Sequence, residues 1–137
     1  MKTSAGVIKF IEYKVARVVF ELNADFEWDE EGLEIAFDVE SSKEISEDGK
    51  QMVVGLTLRI FDDEEQEYPF RMQLDIVGAF ELNQVGDEID KYYANALSIL
   101  YPYARAIVSN YTANANIEPL ILPTVNIWKL VKEKNNK

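Results

Sequence analysis

The residues most able to do chemistry in this chain are its carboxylates, since 25 aspartates and glutamates stand against 14 lysines and arginines. Histidine and cysteine are absent, which removes the commonest general base, the usual zinc ligands and any thiolate nucleophile. The acidic residues gather in polar runs such as EWDEE (27–31) and DDEEQE (62–67), where solvation is the ordinary explanation. Acid–base catalysis needs carboxylates in a cleft with separated pKa values, and no phosphate-loop, nucleophile or EF-hand pattern is present. The sequence therefore argues against an enzyme and predicts neither a metal nor a cofactor.

The formal net charge of −11 bears on partners. Such a surface repels phosphate backbones, which argues against ordinary nucleic-acid binding. The negative charge either serves solubility alone or attracts basic or unfolded polypeptide chains, and the sequence leaves both interpretations open. No apolar run approaches the roughly 20 residues that a membrane span needs, and MKTSAGVIKF lacks a signal-peptide core. With no cysteine, these features predict a cytoplasmic protein without membrane insertion.

Four stretches have the residue types and alternation of β-strands. The first, Val7–Leu22, carries apolar residues at both even and odd positions, which predicts burial on both faces or partial burial by another subunit. The other three are expected at Leu33–Glu40, Met52–Phe61 and Tyr68–Val77, each with one apolar face. Because polar links connect them in sequence, the pattern favours an antiparallel meander of four strands.

The period of the apolar residues changes from two to three or four after residue 87, which predicts helix. Pro102, inside ILYPYARAIVSNYT, removes an amide donor and crowds the carbonyl of Ser98, so a kink or a restart is expected there. The segment NIEPLILPTVN should run extended because Pro119 and Pro123 bar a regular helix. Asn126 can then cap a short last helix, IWKLVKEK.

Together these elements predict an α+β fold. The apolar face of a four-stranded antiparallel sheet is covered by one long kinked or broken helix and by a short C-terminal helix. We find neither an internal repeat nor a domain boundary, so residues 1–137 are expected to form a single domain. The basic tail, residues 132–137, is expected to be disordered.

Two aromatic residues, Phe26 and Trp28, stand in the acidic loop NADFEWDEEG, residues 23–32. Apolar rings on such a loop need a place to pack. They either close over the core of their own subunit or line a groove for an apolar ligand, and the sequence leaves both readings open.

Two motifs near the C-terminus resemble the SecB family, the protein-export chaperones of bacteria. YPYAR (101–105) is similar to the family's Phe-Pro-Tyr-Ala-Arg run, and PLILPTVN (119–126) to its Pro-x-Leu-x-Leu-x-Pro-Val-Asn segment. GAF (78–80) is similar to the end of the family's last strand. The resemblance is good from residue 70 to residue 131, and earlier it rests on the strand pattern and the Trp-bearing loop. It implies a four-stranded antiparallel sheet with helices on one face, and a homotetramer built as a dimer of dimers.

The resemblance also implies an ATP-independent holdase that binds unfolded or nascent polypeptides in apolar grooves. In the family these grooves lie between the loop after the first strand and the helical layer. The candidate client-binding residues are Phe26, Trp28, Val77, Phe80, Leu120 and Ile121. The candidates for contacts between subunits, each of which could instead serve the intrachain core, are Tyr93, Leu97, Leu100, Tyr103 and Ile107.

One departure concerns the motor ATPase SecA, which family members contact through an acidic patch on the outer sheet face. The corresponding positions here are Arg17, Glu21, Arg71 and Gln73, and the short KEKNNK replaces the family's longer tail. SecA stays a candidate partner, but the differences favour another role, such as protection of an antitoxin in a toxin–antitoxin system. The alternative from another class is a non-chaperone acidic module that holds one dedicated basic partner. Salt should weaken that module's binding and spare binding in an apolar groove.

Overall fold

The structure, a computed structural model, describes residues 7–28 and 32–135. Four strands form one antiparallel sheet in the order β1–β4–β3–β2. Their bounds are β1 (Ile8–Leu22), β2 (Phe37–Ile45), β3 (Gln51–Ile60) and β4 (Phe70–Leu82). A short 3₁₀ helix (Ile89–Tyr92) leads into α1 (Tyr93–Asn114), and α2 (Ile127–Asn135) follows an extended segment. The helices pack on one face of the sheet, so the α+β fold is confirmed.

The strand order differs from the expected meander. Strands β2, β3 and β4 follow one another, whereas β1 lies beside β4, as in a Greek key. The strand lengths agree with this pairing, since the 15 residues of β1 match the 13 of β4 better than the 9 of β2. As a consequence, β1 and β2 lie at opposite edges of the sheet. The described residues between these two strands, 23–28 and 32–36, are hereafter called the first connection.

The bounds of β2 and β4 also differ from the prediction. Strand β2 begins at Phe37 and continues to Ile45, because its hairpin closes further on, where the amide of Ser46 donates to the carbonyl of Gln51 at 3.0 Å. Gly49 takes a φ of 70° in that turn, a conformation that favours glycine. Strand β4 continues to Leu82, five residues beyond the predicted end, because it stays paired with β1 and β3.

The mixed apolar pattern of β1 results from two irregularities in its pairing with β4. Register shifts between Phe10 and Glu12 and between Val15 and Arg17 each change the parity of the strand. The residues of β1 that pack against the core are therefore even-numbered before the first shift, odd-numbered between the shifts and even-numbered after the second. They are Ile8 and Phe10, then Tyr13, then Val18 and Phe20. Ile11 and Val15 are about half exposed. The prediction that the chain buries both faces of β1 is wrong, and cover by another subunit stays a prediction.

Helix α1 runs through Pro102 as a continuous α-helix, so the expected restart near Ser98 is wrong. Ser98 and Pro102 both lie on the exposed side, where water can bind the carbonyl that the proline leaves without a donor. The buried side of α1 is formed by Ala96, Leu97, Leu100, Tyr101, Ala104, Val108 and Thr112.

The candidates for subunit contacts divide into two groups. Leu97 and Leu100 have no exposed surface, so they belong to the intrachain core and their assignment to a subunit contact is wrong. Tyr93 and Ile107 are partly buried, and the ring of Tyr103 lies 4.6 Å from that of Tyr13 while the residue remains 38% exposed. A role between subunits stays a prediction for these three.

Leu100 packs against the backbone of the last strand. A Cβ atom built on Gly78 would lie 2.5 Å from Leu100 Cδ2, closer than real side-chain contacts. Glycine at position 78 is therefore required by the close approach of α1 to β4.

The C-terminal helix differs from the prediction in its length. Its start is as expected, since the side chain of Asn126 accepts a hydrogen bond from the amide of Lys129 at 3.1 Å. The helix then continues to Asn135, into the segment expected to be disordered, and residues 136 and 137 lie outside the described residues. That residues 1–137 form a single domain stays a prediction.

Candidate functional site

An apolar groove of about 520 Å³ lies between the first connection and the extended segment that follows α1, residues 117–126, hereafter the strap. This volume falls within the roughly 300–1,000 Å³ of typical ligand sites. The residues that line it are Trp28, Gly32, Leu33, Ile35, Phe61, Pro69, Phe70, Glu118, Pro119, Leu120 and Ile121. Glu118 is the one ionisable side chain among these lining residues, so the groove is suited to apolar side chains.

The floor of the groove is aromatic and rigid. Phe61, only 1% exposed, stacks on Tyr68 with ring centroids 4.6 Å apart and meets the edge of Phe70 at 5.2 Å. The amide of Phe61 donates to the carbonyl of Ala36 at 2.9 Å, which ties the first connection to the end of β3. The floor is thus formed by packed core residues rather than by a mobile loop.

One wall is the first connection, which carries Leu33 and Ile35 on the groove side. At its rim the ring of Trp28 meets the ring of Phe26 edge to face, with centroids 5.4 Å apart. Phe26 is partly buried, whereas Trp28 keeps 60% of its surface exposed. The rings do not close fully over the core, and Trp28 remains available to a ligand.

The opposite wall is the strap. Its residue Leu122 is fully buried, Leu120 is partly buried, and Ile121 between them is 68% exposed. This alternation is typical of an extended segment that rests on a core with every second side chain. Ile121 therefore presents an exposed apolar side chain to the groove that Trp28 lines from the first connection.

Polar side chains on one face of α1 hold the strap by its backbone. Thr112 Oγ1 accepts a hydrogen bond from the amide of Leu120 at 2.8 Å, and Ser109 Oγ donates to the carbonyl of the same residue at 2.9 Å. Further along, Arg105 Nε donates to the carbonyl of Leu122 at 3.0 Å and Tyr101 Oη to that of Pro123 at 2.8 Å. Burial raises the pKa of Tyr101, so its hydroxyl stays a donor at neutral pH.

These strap-holding residues were missed from the sequence. Their spacing along α1, with polar side chains at 101, 105, 109 and 112, was the available signal, since it places them on one helical face. It could not be interpreted without knowing that the strap lies against that face.

Replacing Thr112 with valine should loosen the strap, because the amide of Leu120 loses its buried acceptor while side-chain volume is kept. We expect a loss of about 1–3 kcal/mol in the free energy of unfolding, measured by urea titration at fixed protein concentration. Ser98→Ala is the matched control, since the Ser98 hydroxyl donates to the Ala94 carbonyl on the exposed side of the same helix. An equal loss in the two variants would contradict a special role for Thr112.

The structure brings some of the predicted client-binding residues together and separates others. Trp28, Leu120 and Ile121 line the groove, and Phe26 adjoins it through Trp28. Phe80 is 2% exposed and belongs to the core, and its side chain lies on the helix-facing side of β4. Val77 has the opposite parity in β4 and lies on the outer sheet face. Phe80 and Val77 therefore do not line the groove.

The outer sheet face is mixed in charge. A shallow depression there is lined by Glu21, Arg71 and Gln73, three of the positions compared with the SecA-binding patch, and by Arg59 and Asp62. Arg17, the fourth position, pairs in register with Asp75 on β4. Acidic and basic groups thus alternate where the family's patch is acidic.

A four-stranded antiparallel sheet covered by one long helix, with an apolar groove beside the loop that follows the first strand, is the arrangement that the resemblance to the SecB family implied. The family model described as preprotein translocase subunit SecB matches residues 18–137, and the chain belongs to the SecB family.

Comparison with individual proteins agrees with this membership. The chain is 32% identical to the uncharacterized protein MJ0357 of Methanocaldococcus jannaschii, over 95% of this chain and 90% of that protein. It is 24% identical to the protein-export protein SecB of Chromohalobacter salexigens, over 69% of this chain and 59% of that one. A solved structure of the Mycobacterium tuberculosis Rv1957 SecB-like chaperone, in complex with a ChAD peptide from the Rv1956 HigA1 antitoxin, has the same fold. The TM-score is 0.63 at 19% identity, over 86% of this chain and 90% of that one.

Proposed function

We propose that this SecB-family protein is an ATP-independent holdase that binds unfolded or nascent polypeptides in its apolar groove. One observation carries the proposal. Trp28 and Ile121, at the two rims of an apolar groove, keep 60% and 68% of their surfaces exposed. Exposed apolar groups gathered around a concave surface mark a binding site, since isolated ones are normal but clustered ones are unfavourable in water.

The apolar lining of the groove favours binding of many client sequences over selection of one. Burial of apolar surface is non-directional, so any exposed apolar segment of an unfolded chain can contribute its side chains. Binding of this kind needs neither nucleotide hydrolysis nor a catalytic group, and we propose that the protein is not an enzyme. Among the described residues, no group of acidic side chains is arranged to hold a metal ion.

The partners follow from the same proposal. Clients are unfolded polypeptides, and repeated grooves around a homotetramer, a dimer of dimers, would raise their avidity. The mixed charge of the outer face supports a role other than delivery to SecA. The antitoxin peptide in the Rv1957 complex supports a dedicated client of that kind as the more specific possibility. We propose action in the cytoplasm, where nascent chains are made. Separately, none of the helices in the described part of the chain is long and apolar enough to cross a membrane.

The experiment is light scattering during dilution of a urea-unfolded, aggregation-prone protein, with this protein present at an equal molar ratio. We expect suppression of aggregation without ATP, and it should persist at high salt because the groove is apolar. Suppression that disappears with added salt would favour a charge-led acidic module. Absence of suppression would reject the general holdase.

A further inference from the structure

The part of the first connection that carries Trp28 has few anchors of its own. Trp28 is 60% exposed, and its neighbour Phe26, although partly buried, does not pack against the hydrophobic core that the described residues form. Within the described part of the first connection, the residues that hydrogen-bond to the rest of the protein are Asn23 and Ala36, at its two ends. The position of Trp28 therefore depends on the anchor at its own end, Asn23.

We propose that Asn23 is a positioning residue of the groove, whose side-chain amide holds Trp28 in place for client binding. The inference rests on the proposed function and adds a residue to it, since Asn23 does not itself line the groove.

Asn23 uses all of its polar groups. Its backbone amide donates to the carbonyl of Pro69 at 2.9 Å, and Nδ2 of its side chain donates to the carbonyl of Tyr68 at 3.0 Å. Oδ1 accepts a hydrogen bond from the amide of Asp25 at 3.3 Å, and the Asn23 carbonyl accepts one from the amide of Phe26 at 3.2 Å. The first two bonds lead towards the floor of the groove, and the last two form the turn from which the wall begins.

The bonds to Tyr68 and Pro69 end on a rigid part of the protein. Tyr68 is 7% exposed and stacks on the ring of Phe61 in the floor of the groove, with centroids 4.6 Å apart. Pro69 is buried and lines the groove. Asn23 therefore fixes the start of the wall relative to the floor, and Trp28 follows five residues later.

The two bonds of the Asn23 side chain require a carboxamide, which carries a donor and an acceptor on one planar group. Its orientation is determined, because the reversed amide would place Oδ1 against the carbonyl of Tyr68. Aspartate has the same shape but no donor, so it keeps the acceptor for the turn and loses the bond to Tyr68. Serine is uncharged and can also accept from the amide two residues on, but it has no second polar atom for Tyr68. Both substitutions should therefore detach the wall from the floor while keeping the turn.

The test is a double-mutant cycle between Asn23 and Trp28, with binding of a fluorescein-labelled, leucine-rich unfolded peptide measured by fluorescence anisotropy. High salt screens the charge that Asn23→Asp adds. In the parent protein, Asn23→Asp and Asn23→Ser should each weaken binding about tenfold, since a misplaced aromatic anchor loses most of its contribution. In a Trp28→Ala background the same substitutions should weaken binding less than about twofold, because the side chain that they misplace is gone.

Two further measurements separate positioning from other effects. Asn110→Asp is the matched control, since Asn110 is exposed on α1 and lies outside the groove, and it should leave peptide binding unchanged. The chain has two tryptophans, so Trp128→Phe leaves Trp28 as the only source of tryptophan fluorescence. In that background, Asn23→Ser should make Trp28 more accessible to quenching by acrylamide.

Equal weakening with and without Trp28, or failure of both Asn23 variants to fold, would show that Asn23 supports the fold as a whole and would overturn the positioning role. Unchanged binding in both variants would also overturn it, and would leave the groove function standing. If the parent protein did not bind the peptide, the groove function would be rejected and this inference with it.

Discussion

A variant that carries both Trp28→Ala and Ile121→Ala should bind a fluorescein-labelled, leucine-rich unfolded peptide about 100-fold more weakly than the parent protein, as measured by fluorescence anisotropy, while keeping its fold. Truncation of an aromatic anchor in a binding site removes about 2 kcal/mol or more, and loss of an aliphatic side chain on the other wall adds about 1 kcal/mol. Together these make about 3 kcal/mol, which is about two factors of ten in affinity. Both side chains are mostly exposed, so the fold should lose little stability.

Two single variants serve as matched controls for this prediction. Val85 is fully exposed in the loop after β4 and lies outside the groove, so Val85→Ala removes an exposed apolar side chain without touching a rim. Val77→Ala does the same on the outer sheet face. Peptide anisotropy and suppression of aggregation should stay unchanged in both. If Val77→Ala or Val85→Ala weakened the peptide as much as the double variant, general surface stickiness would replace the groove as the explanation.

The strap shows how far the sequence can be taken. Pro119 and Pro123 alone predict that this segment is extended, and the resemblance of PLILPTVN to the SecB family places it near the clients. The extended conformation is confirmed, and the role of the segment in client binding stays a prediction. The partners of its backbone on α1 could not be foreseen, because they depend on which face of a distant helix the strap meets.

The first strand shows a limit of periodicity. Its apolar residues occupy even positions in some parts and odd positions in others. When the pairing partner is unknown, this pattern predicts burial on both faces of the strand. The register with β4 shows two shifts that keep Ile8, Phe10, Tyr13, Val18 and Phe20 on the core side, whereas Val19 lies on the outer face. The order of the strands is a second limit of periodicity, since alternation along one strand does not tell that β1 pairs with β4 rather than with β2.

The assignment of Val77 and Phe80 to one groove was an avoidable error, because the alternation of side chains along a strand was enough to reject it. Positions 77 and 80 differ by an odd number in an uninterrupted strand, so their side chains must point to opposite faces. The shorter predicted strand ended at Val77 and left Phe80 in an irregular segment, which hid this conflict. Once β4 extends to Leu82, Phe80 falls in the core and Val77 on the outer face.

Gly78 and Leu100 should behave as one coupled unit in the stability of the fold. Gly78→Ala places a methyl group against Leu100 in a packed core, and we expect a loss of about 1–3 kcal/mol in the free energy of unfolding. Leu100→Ala leaves a cavity and should cost about 2–5 kcal/mol. In the double variant the added methyl enters the space that the leucine leaves, so the total loss should fall below the sum by at least about 0.5 kcal/mol.

A second glycine of the sheet provides the control for this cycle. A Cβ atom on Gly55 would lie 2.6 Å from Ser42 Oγ, nearly the same distance as the 2.5 Å between a Cβ atom on Gly78 and Leu100 Cδ2. The hydroxyl of the exposed Ser42 can rotate away, whereas Leu100 is enclosed on all sides, so Gly55→Ala should change stability by less than about 0.5 kcal/mol. Urea unfolding of all four variants at one protein concentration measures the cycle. Strictly additive losses for Gly78→Ala and Leu100→Ala would show that the approach of α1 to β4 is not what requires glycine there.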